Sequence, residues 1–165
     1  RRGGRAPGAV APLMRRFYCD ANIFIMAVEG HTDRIGAAGA LIEAAMNETC
    51  TIVTSLLTLG ETLVVPLRFS QEATIESYRT LLSGSLPGIR VLGIDGEAME
   101  AAARLRARHP SLKLPDAIHL ATAQVAQVPW FVTNDQRLPA VAGLKQVTPF
   151  NDGFADLIDR LSETP

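Results

Sequence analysis

The chain has 165 residues, 47% of them apolar, with 16 Lys and Arg against 17 Asp and Glu and a formal net charge of -1. A chain of this size buries about two-thirds of the surface its unfolded form exposes, enough for one full core without disulfides or a structural zinc. The composition excludes a disordered tail, a collagen and a disulfide scaffold. No apolar run reaches the ~18 to 20 residues that span a bilayer, so the expectation is a soluble, cytoplasmic domain with no membrane partner. Near-neutral charge also speaks, at first sight, against nucleic acid.

The charge is unevenly placed. Arg1, Arg2, Arg5, Arg15 and Arg16 lie in the first sixteen residues, which hold no acid; taking them away leaves 11 basic against 17 acidic residues, or -6. Residues 1–13 are rich in Gly, Pro and Arg and lack the apolar centre of a secretory signal. They read as an expression remnant or an upstream extension before a start at Met14, with residues 14–165 a single domain. The alternative, a basic arm for nucleic acid or a membrane surface, lacks helical periodicity and aromatic residues.

Short apolar runs then alternate with helical patterns. Strands are expected at Arg16 to Cys19, Cys50 to Val53, Ile89 to Ile94, Trp130 to Thr133 and Gln146 to Thr148. Asp33 to Asn47 has Ile35, Ala38, Ile42, Ala45 and Met46 at helical spacing, with Asp33 placed to offset the helix dipole. Ser55 can cap a helix to about Leu67, which Pro66 would bend or end. Ser70 opens a helix that Gly84 closes, Asp95 caps one that stops before Pro110, and Pro115 suits the first turn of another reaching about Gln127. A last amphipathic helix is expected over Asp152 to Leu161. This alternation implies βαβ units, a mostly parallel central sheet and a three-layer α/β/α sandwich. Ligands in such folds bind beyond the carboxyl ends of the strands. Cys19 and Cys50 read as buried, reduced thiols; the three histidines, His31, His109 and His119, lack metal-ligand spacing.

Most acids sit on polar helix faces, but four do not. Asp20 ends the first strand, ahead of the apolar stretch Ile23 to Val28. Glu61 lies inside LLTLGETLVVPL, the one charged residue between Glu48 and Arg68. Asp116 opens the apolar helix LPDAIHLATA, and Asp135 follows the strand WFVT. An ionised carboxylate taken out of water costs several kcal/mol unless it is paired or bound to a metal, so on the order of four such partners are needed. Taken singly, Asp20 and Asp135 could cap turns, Asp116 could be an acid at a helix N-terminus, and Glu61 could pair with a buried Arg. Taken together, in segments poor in cations, they make an oxygen-donor set suited to Mg²⁺ or Mn²⁺ and not to zinc.

The ordered set, an Asp in CDANIF, a Glu in TLGET, an Asp in LPDAIHLATA and an Asp in FVTNDQRL, resembles a PIN-domain ribonuclease of the VapC toxin type, over essentially the whole chain from Met14. The resemblance implies a PIN-like fold in which Asp20, Glu61, Asp116 and Asp135 form the acidic quartet. Thr133 would match the family's hydroxyl beside the last acid and Asn22 its small polar residue after the first; Leu138 departs from an aromatic position. It further implies a homodimer and a cognate antitoxin lying across the site.

Carboxylates holding one or two Mg²⁺ or Mn²⁺ ions can activate water against an RNA phosphodiester. Asp20 and Asp135 are expected as direct ligands, Asp116 as a further ligand or water orienter, and Glu61 as a water-mediated ligand or general base. Arg137 is the expected phosphate contact, with Arg104, Arg106, Arg108 and Lys113 either assisting or offsetting a helix dipole. His119 either orients a ligand or is a satisfied buried residue. Two other classes compete. A haloacid-dehalogenase-like phosphotransferase or phosphatase needs a second Asp two residues after the first, where this chain has Asn22. A non-catalytic RNA- or partner-binding module would be favoured by loss of an acid, and none is lost.

Overall fold

The computed structural model describes residues 15–30 and 35–149. The expected helix at Asp152 to Leu161, the leader up to Met14, and Asp33 lie outside those residues. Among the described residues, five strands, β1 (Arg16–Cys19), β2 (Thr51–Ser55), β3 (Ile89–Leu92), β4 (Trp130–Val132) and β5 (Lys145–Val147), form one sheet in the order β3-β2-β1-β4-β5. Every pairing is parallel, with Phe17 opposite both Ile52 and Trp130, and Cys19 opposite Val132.

Six helices among the described residues cover the two faces: α1 (Ala21–Glu29), α2 (Ile35–Met46), α3 (Leu56–Arg68), α4 (Glu72–Leu81), α5 (Gly96–Arg108) and α6 (Leu114–Val125). The alternation of strand side chains divides the core. Phe17, Cys19, Ile52 and Val132 pack with Ile23 and Phe24 of α1, Leu41 and Ala45 of α2, and Tyr78 of α4. Tyr18, Val53 and Phe131 point the other way, onto Ala102 and Leu105 of α5 and Ala117, Leu120 and Ala121 of α6. This is the three-layer α/β/α sandwich, with a sheet that is wholly parallel. Cys19 and Cys50 are both free and buried.

Asp95 accepts from Ala98 N at 2.9 Å and so caps α5 as its position predicts. Ser55 stands at the N-cap of α3 without a side-chain cap bond, and Pro66 is accommodated inside the helix, near its end. Helix α1 departs from the sequence reading, which left Ile23 to Val28 unassigned. Gly88 marks a close approach: a Cβ there would stand 1.7 Å from the carbonyl oxygen of Ala45, so only glycine lets the end of α2 cross the start of β3. Among the described residues, no helix is long and apolar enough to cross a membrane.

Candidate active site

Strands β1 and β4 are neighbours in register, so the residues that follow them, Asp20 and Thr133, emerge side by side at the carboxyl edge of the sheet. The backbone N–H of Asp20 still reaches the carbonyl of Val132, at 3.5 Å. The Asp20 side chain is only 7% exposed. Its Oδ2 accepts from the Thr133 hydroxyl at 2.6 Å, while its Oδ1 is buried with no hydrogen-bond partner. Burial pushes the Asp20 carboxyl above the usual carboxylate range, and the Thr133 hydroxyl partly opposes that. Asn22, two residues on, is exposed on α1.

Thr133 joins two acids. Its Oγ1 donates to Asp20 and accepts from the backbone N–H of Asp135 at 3.0 Å. Asp135 in turn is closed by Arg137: Oδ1 accepts from the Arg137 backbone N–H and Nε, each at 2.9 Å, and Oδ2 from Nη2 at 2.8 Å. This fork holds the Asp135 carboxyl low, at about 2. Arg137 thus bonds the acid it was expected to stand beside, and its guanidinium remains at the surface.

Asp116 enters from α6, in the first turn behind Pro115. It lines a cleft of about 300 Å³ with Asp135, Arg137, Lys113 and His109, and Leu138 takes part in its wall. Burial raises the Asp116 carboxyl most, followed by the negative charge of Asp135; Glu61 adds to this, while His119 and Lys113 oppose it. Glu61, on α3, meets His119 of α6, whose Nε2 lies 2.8 Å from Oε2. The partner of Glu61 is therefore a histidine, in place of the buried Arg that was one alternative. His119 is 3% exposed, and its Nδ1 lies 2.9 Å from the hydroxyl of Tyr18.

Sequence reasoning left His119 undecided and missed Tyr18. The available signal was spacing. His119 follows Asp116 by three helical positions, on the same face, and Tyr18 precedes Asp20 by two strand positions, also on the same face. The arginine cluster takes mostly local roles: Arg104 pairs with Glu100 at 2.7 Å, and Arg106 Nε donates to the carbonyl of Leu112.

The four acids thus converge on one edge without closing around one point. Asp116 and Asp135 share the cleft, Asp20 lies behind it and is joined through Thr133, and Glu61 is joined through His119. Among the described residues, no three His, Cys, Asp or Glu side chains stand in a metal-holding group. The donor set nevertheless suits a hard cation in its chemistry. All donors are oxygens, Asp20 Oδ1 is buried without a partner, and Asp116 is raised by burial first and then by the negative charge of Asp135.

A parallel α/β/α domain with carboxylates at the ends of adjacent central strands is the class of protein that fold and site define. Comparison places it further: the PIN domain family model matches residues 17–144, so the chain belongs to the PIN domain family. It is similar to a solved toxin-antitoxin complex from Klebsiella pneumoniae, at 27% identity and a TM-score of 0.61, covering 81% of this chain and 97% of that one. It also resembles Mycobacterium tuberculosis VapC20, a sarcin-ricin loop cleaving toxin, at 17% identity and a TM-score of 0.60, over 73% of this chain and 91% of that one. A third likeness is to VapBC2 from Rickettsia felis bound to a promoter DNA fragment, at 17% identity and a TM-score of 0.58, over 81% and 98%. No curated protein sequence matches the chain.

Proposed function

We propose that this PIN domain is a Mg²⁺- or Mn²⁺-dependent ribonuclease that hydrolyses RNA phosphodiester bonds, and that it is the cytoplasmic toxin of a toxin-antitoxin pair. The observation that carries the reading is Asp20: a buried carboxylate, ending the central strand, with one oxygen fixed by Thr133 and the other unpartnered. Such a group is costly in a folded domain unless a ligand uses it. The toxin assignment is supported by the likeness to toxin-antitoxin structures.

In this reading Asp20, Asp116 and Asp135 would hold the cation. Bound there, a divalent ion would lower the pKa of a water molecule and offset charge on the phosphate. The chain's own residues do the rest. Thr133 fixes the rotamer of Asp20 and the turn that carries Asp135. Arg137, on the open side of the cleft, leaves Asp135 for a substrate phosphate, so RNA entry and release of the third carboxylate are one exchange of partners. Lys113, lining the same cleft, supplies a second positive charge along the RNA path. Glu61 holds or accepts a proton of the attacking water.

For partners, the exposed apolar side chains Leu56, Val64, Val65, Leu67 and Phe69 on and just after α3 supply a face suited to cover by a second copy of this chain in a homodimer, or by the antitoxin. One observation favours the alternative of a non-catalytic RNA- or partner-binding module: the acids do not close into a metal-holding group among the described residues. The experiment that separates the two is incubation of the purified protein with RNA in Mg²⁺, Mn²⁺ or EDTA, with analysis of product ends. Attack by water gives metal-dependent products without a 2′,3′-cyclic phosphate. Absence of cleavage with either ion, or cyclic-phosphate ends formed in EDTA, would contradict the nuclease reading.

A further inference from the structure

Glu61 is the one member of the quartet held by a ring from another helix. The hydroxyl of Tyr18, the Nδ1 and Nε2 of His119, and Oε2 of Glu61 form an unbroken chain with steps of 2.9 and 2.8 Å. It runs from the sheet interior to the carboxyl edge. Tyr18 is fully buried, stacked on Phe131 at 5.3 Å between ring centroids and tilted only 8° from it, and edge-on to the His119 ring. Its hydroxyl therefore has no freedom to follow a moving partner. His119 is enclosed on α6 between Tyr18 and Glu61, while the Glu61 side chain is 34% exposed.

A carboxylate oxygen only accepts hydrogen bonds, so the proton between His119 and Glu61 belongs to Nε2. In the neutral ring Nδ1 is then an acceptor, and the Tyr18 hydroxyl, 2.9 Å away, donates to it. The direction of the whole chain is thereby set from the core outward. One oxygen of Glu61 is occupied by His119, and the other is left for the site.

We propose that His119, locked by Tyr18, is the positioning residue for Glu61, so that Glu61 serves the reaction through one oxygen only. This rests on the nuclease reading of the site and goes beyond it in assigning a function to two residues outside the acidic quartet. Glu61 sits on α3, one of the helices that also bears exposed apolar residues; without His119 its side chain is free to rotate toward solvent.

The test uses RNA cleavage by the full chain, with Asp20→Asn as the reference for loss of the site. His119→Leu is expected to lower kcat by about 10- to 100-fold, the usual effect of removing a residue that orients a site carboxylate or imidazole, with KM for RNA unchanged. His119→Gln, whose amide can donate from nearly the position of Nε2, recovers part of that loss. In a Glu61→Gln background, His119→Leu has no further effect, because the two act as one unit. Tyr18→Phe keeps the ring stack and lowers kcat by a smaller factor. In nitrogen-15 spectra of the wild type the His119 proton resides on Nε2. Wild-type kcat in both His119→Leu and Tyr18→Phe, when Asp20→Asn is inactive, would overturn the inference while leaving the nuclease reading intact. So would an equal loss from His119→Leu with and without Glu61, or a proton found on Nδ1. If the wild type cleaves no RNA or Asp20→Asn cleaves as well, the nuclease reading itself falls, and the spectrum alone then decides the hydrogen-bond chain.

Discussion

Replacing Asp20 by Asn should abolish cleavage and yet make the metal-free domain more stable. In the wild type, Oδ2 is satisfied by Thr133 while Oδ1 is buried alone. Asn keeps an oxygen for the Thr133 hydroxyl and replaces an orphaned charge with a neutral amide, a gain of about 1–3 kcal/mol once the cost of the unpaired amide is set against it. For a domain of this length, with about 2–4 °C of midpoint shift per kcal/mol, the thermal midpoint in EDTA should rise by about 2–12 °C. The sign of the pH dependence follows from the raised carboxyl of Asp20. Folding favours its protonated form, so its contribution to stability is present below the unfolded value of about 4 and is lost as pH rises through the higher folded value. The advantage of the Asn variant should therefore be widest at neutral pH and narrow as pH falls toward about 4. At ten times its dissociation constant, Mg²⁺ should stabilise the wild type by about 1.4 kcal/mol and leave the variant nearly unchanged. Calorimetry or circular dichroism melts of both proteins, with EDTA and with Mg²⁺, measure all of this. An Asn variant less stable than the wild type in EDTA at pH 7, or one that responds equally to Mg²⁺, would refute the reasoning.

Three other substitutions probe separate links. Gly88→Ala forces a Cβ against the backbone oxygen of Ala45, so the α2–β3 crossing must shift, costing about 1–3 kcal/mol or more in denaturant melts. Asp95→Ala removes the cap of α5 and should cost about 1 kcal/mol by the same measurement, with RNA cleavage unaffected. Arg137→Ala frees Asp135, whose carboxyl should titrate higher than its present value of about 2 by NMR. If Arg137 transfers to a phosphate, KM for RNA should rise and the salt dependence of binding should flatten by about one single-strand phosphate contact, a slope of about 0.7. An unchanged salt slope would confine Arg137 to its turn.

Much of the fold was legible because the strands are short, apolar runs bounded by turn residues, and each helix from α2 to α6 carries a cap, a proline or a periodic face. Helix α1 was not. Its residues Ala21–Glu29 are nearly all apolar, and Ala21, Ile23 and Phe24 are buried, so no clean polar face marks a helical period. Asp20 stands at its N-cap without a side-chain cap bond, having turned to Thr133 instead. The end of α3, expected at about Leu67 from Pro66, falls at Arg68.

The site was legible as a set of residues but not as a geometry. Four acids in apolar surroundings asked for partners, and the structure supplies a different one for three of them. Asp20 has a threonine, Glu61 a histidine, Asp135 its own neighbouring arginine, and Asp116 only the field of the others. Tyr18 and His119 are 101 positions apart in the chain, and nothing in local pattern brings a strand tyrosine to a helix histidine. Arg137 was anticipated as a phosphate contact from its nearness to Asp135. That same nearness lets it fold back, since two residues of turn place its guanidinium on the carboxylate. The opening charge balance is also clarified. Asp20, the buried acid at the end of the first strand, has no cation among its hydrogen-bond partners, so a mildly negative total does not argue against RNA.

The most direct test of the central claim is a side-by-side cleavage assay of the wild type and Asp20→Asn on the same RNA, purified identically, in Mg²⁺ and in EDTA. The account predicts cleavage by the wild type in Mg²⁺ alone, and none by the folded, more stable variant under either condition. Equal cleavage by the two proteins, or wild-type cleavage that persists in EDTA, would contradict it.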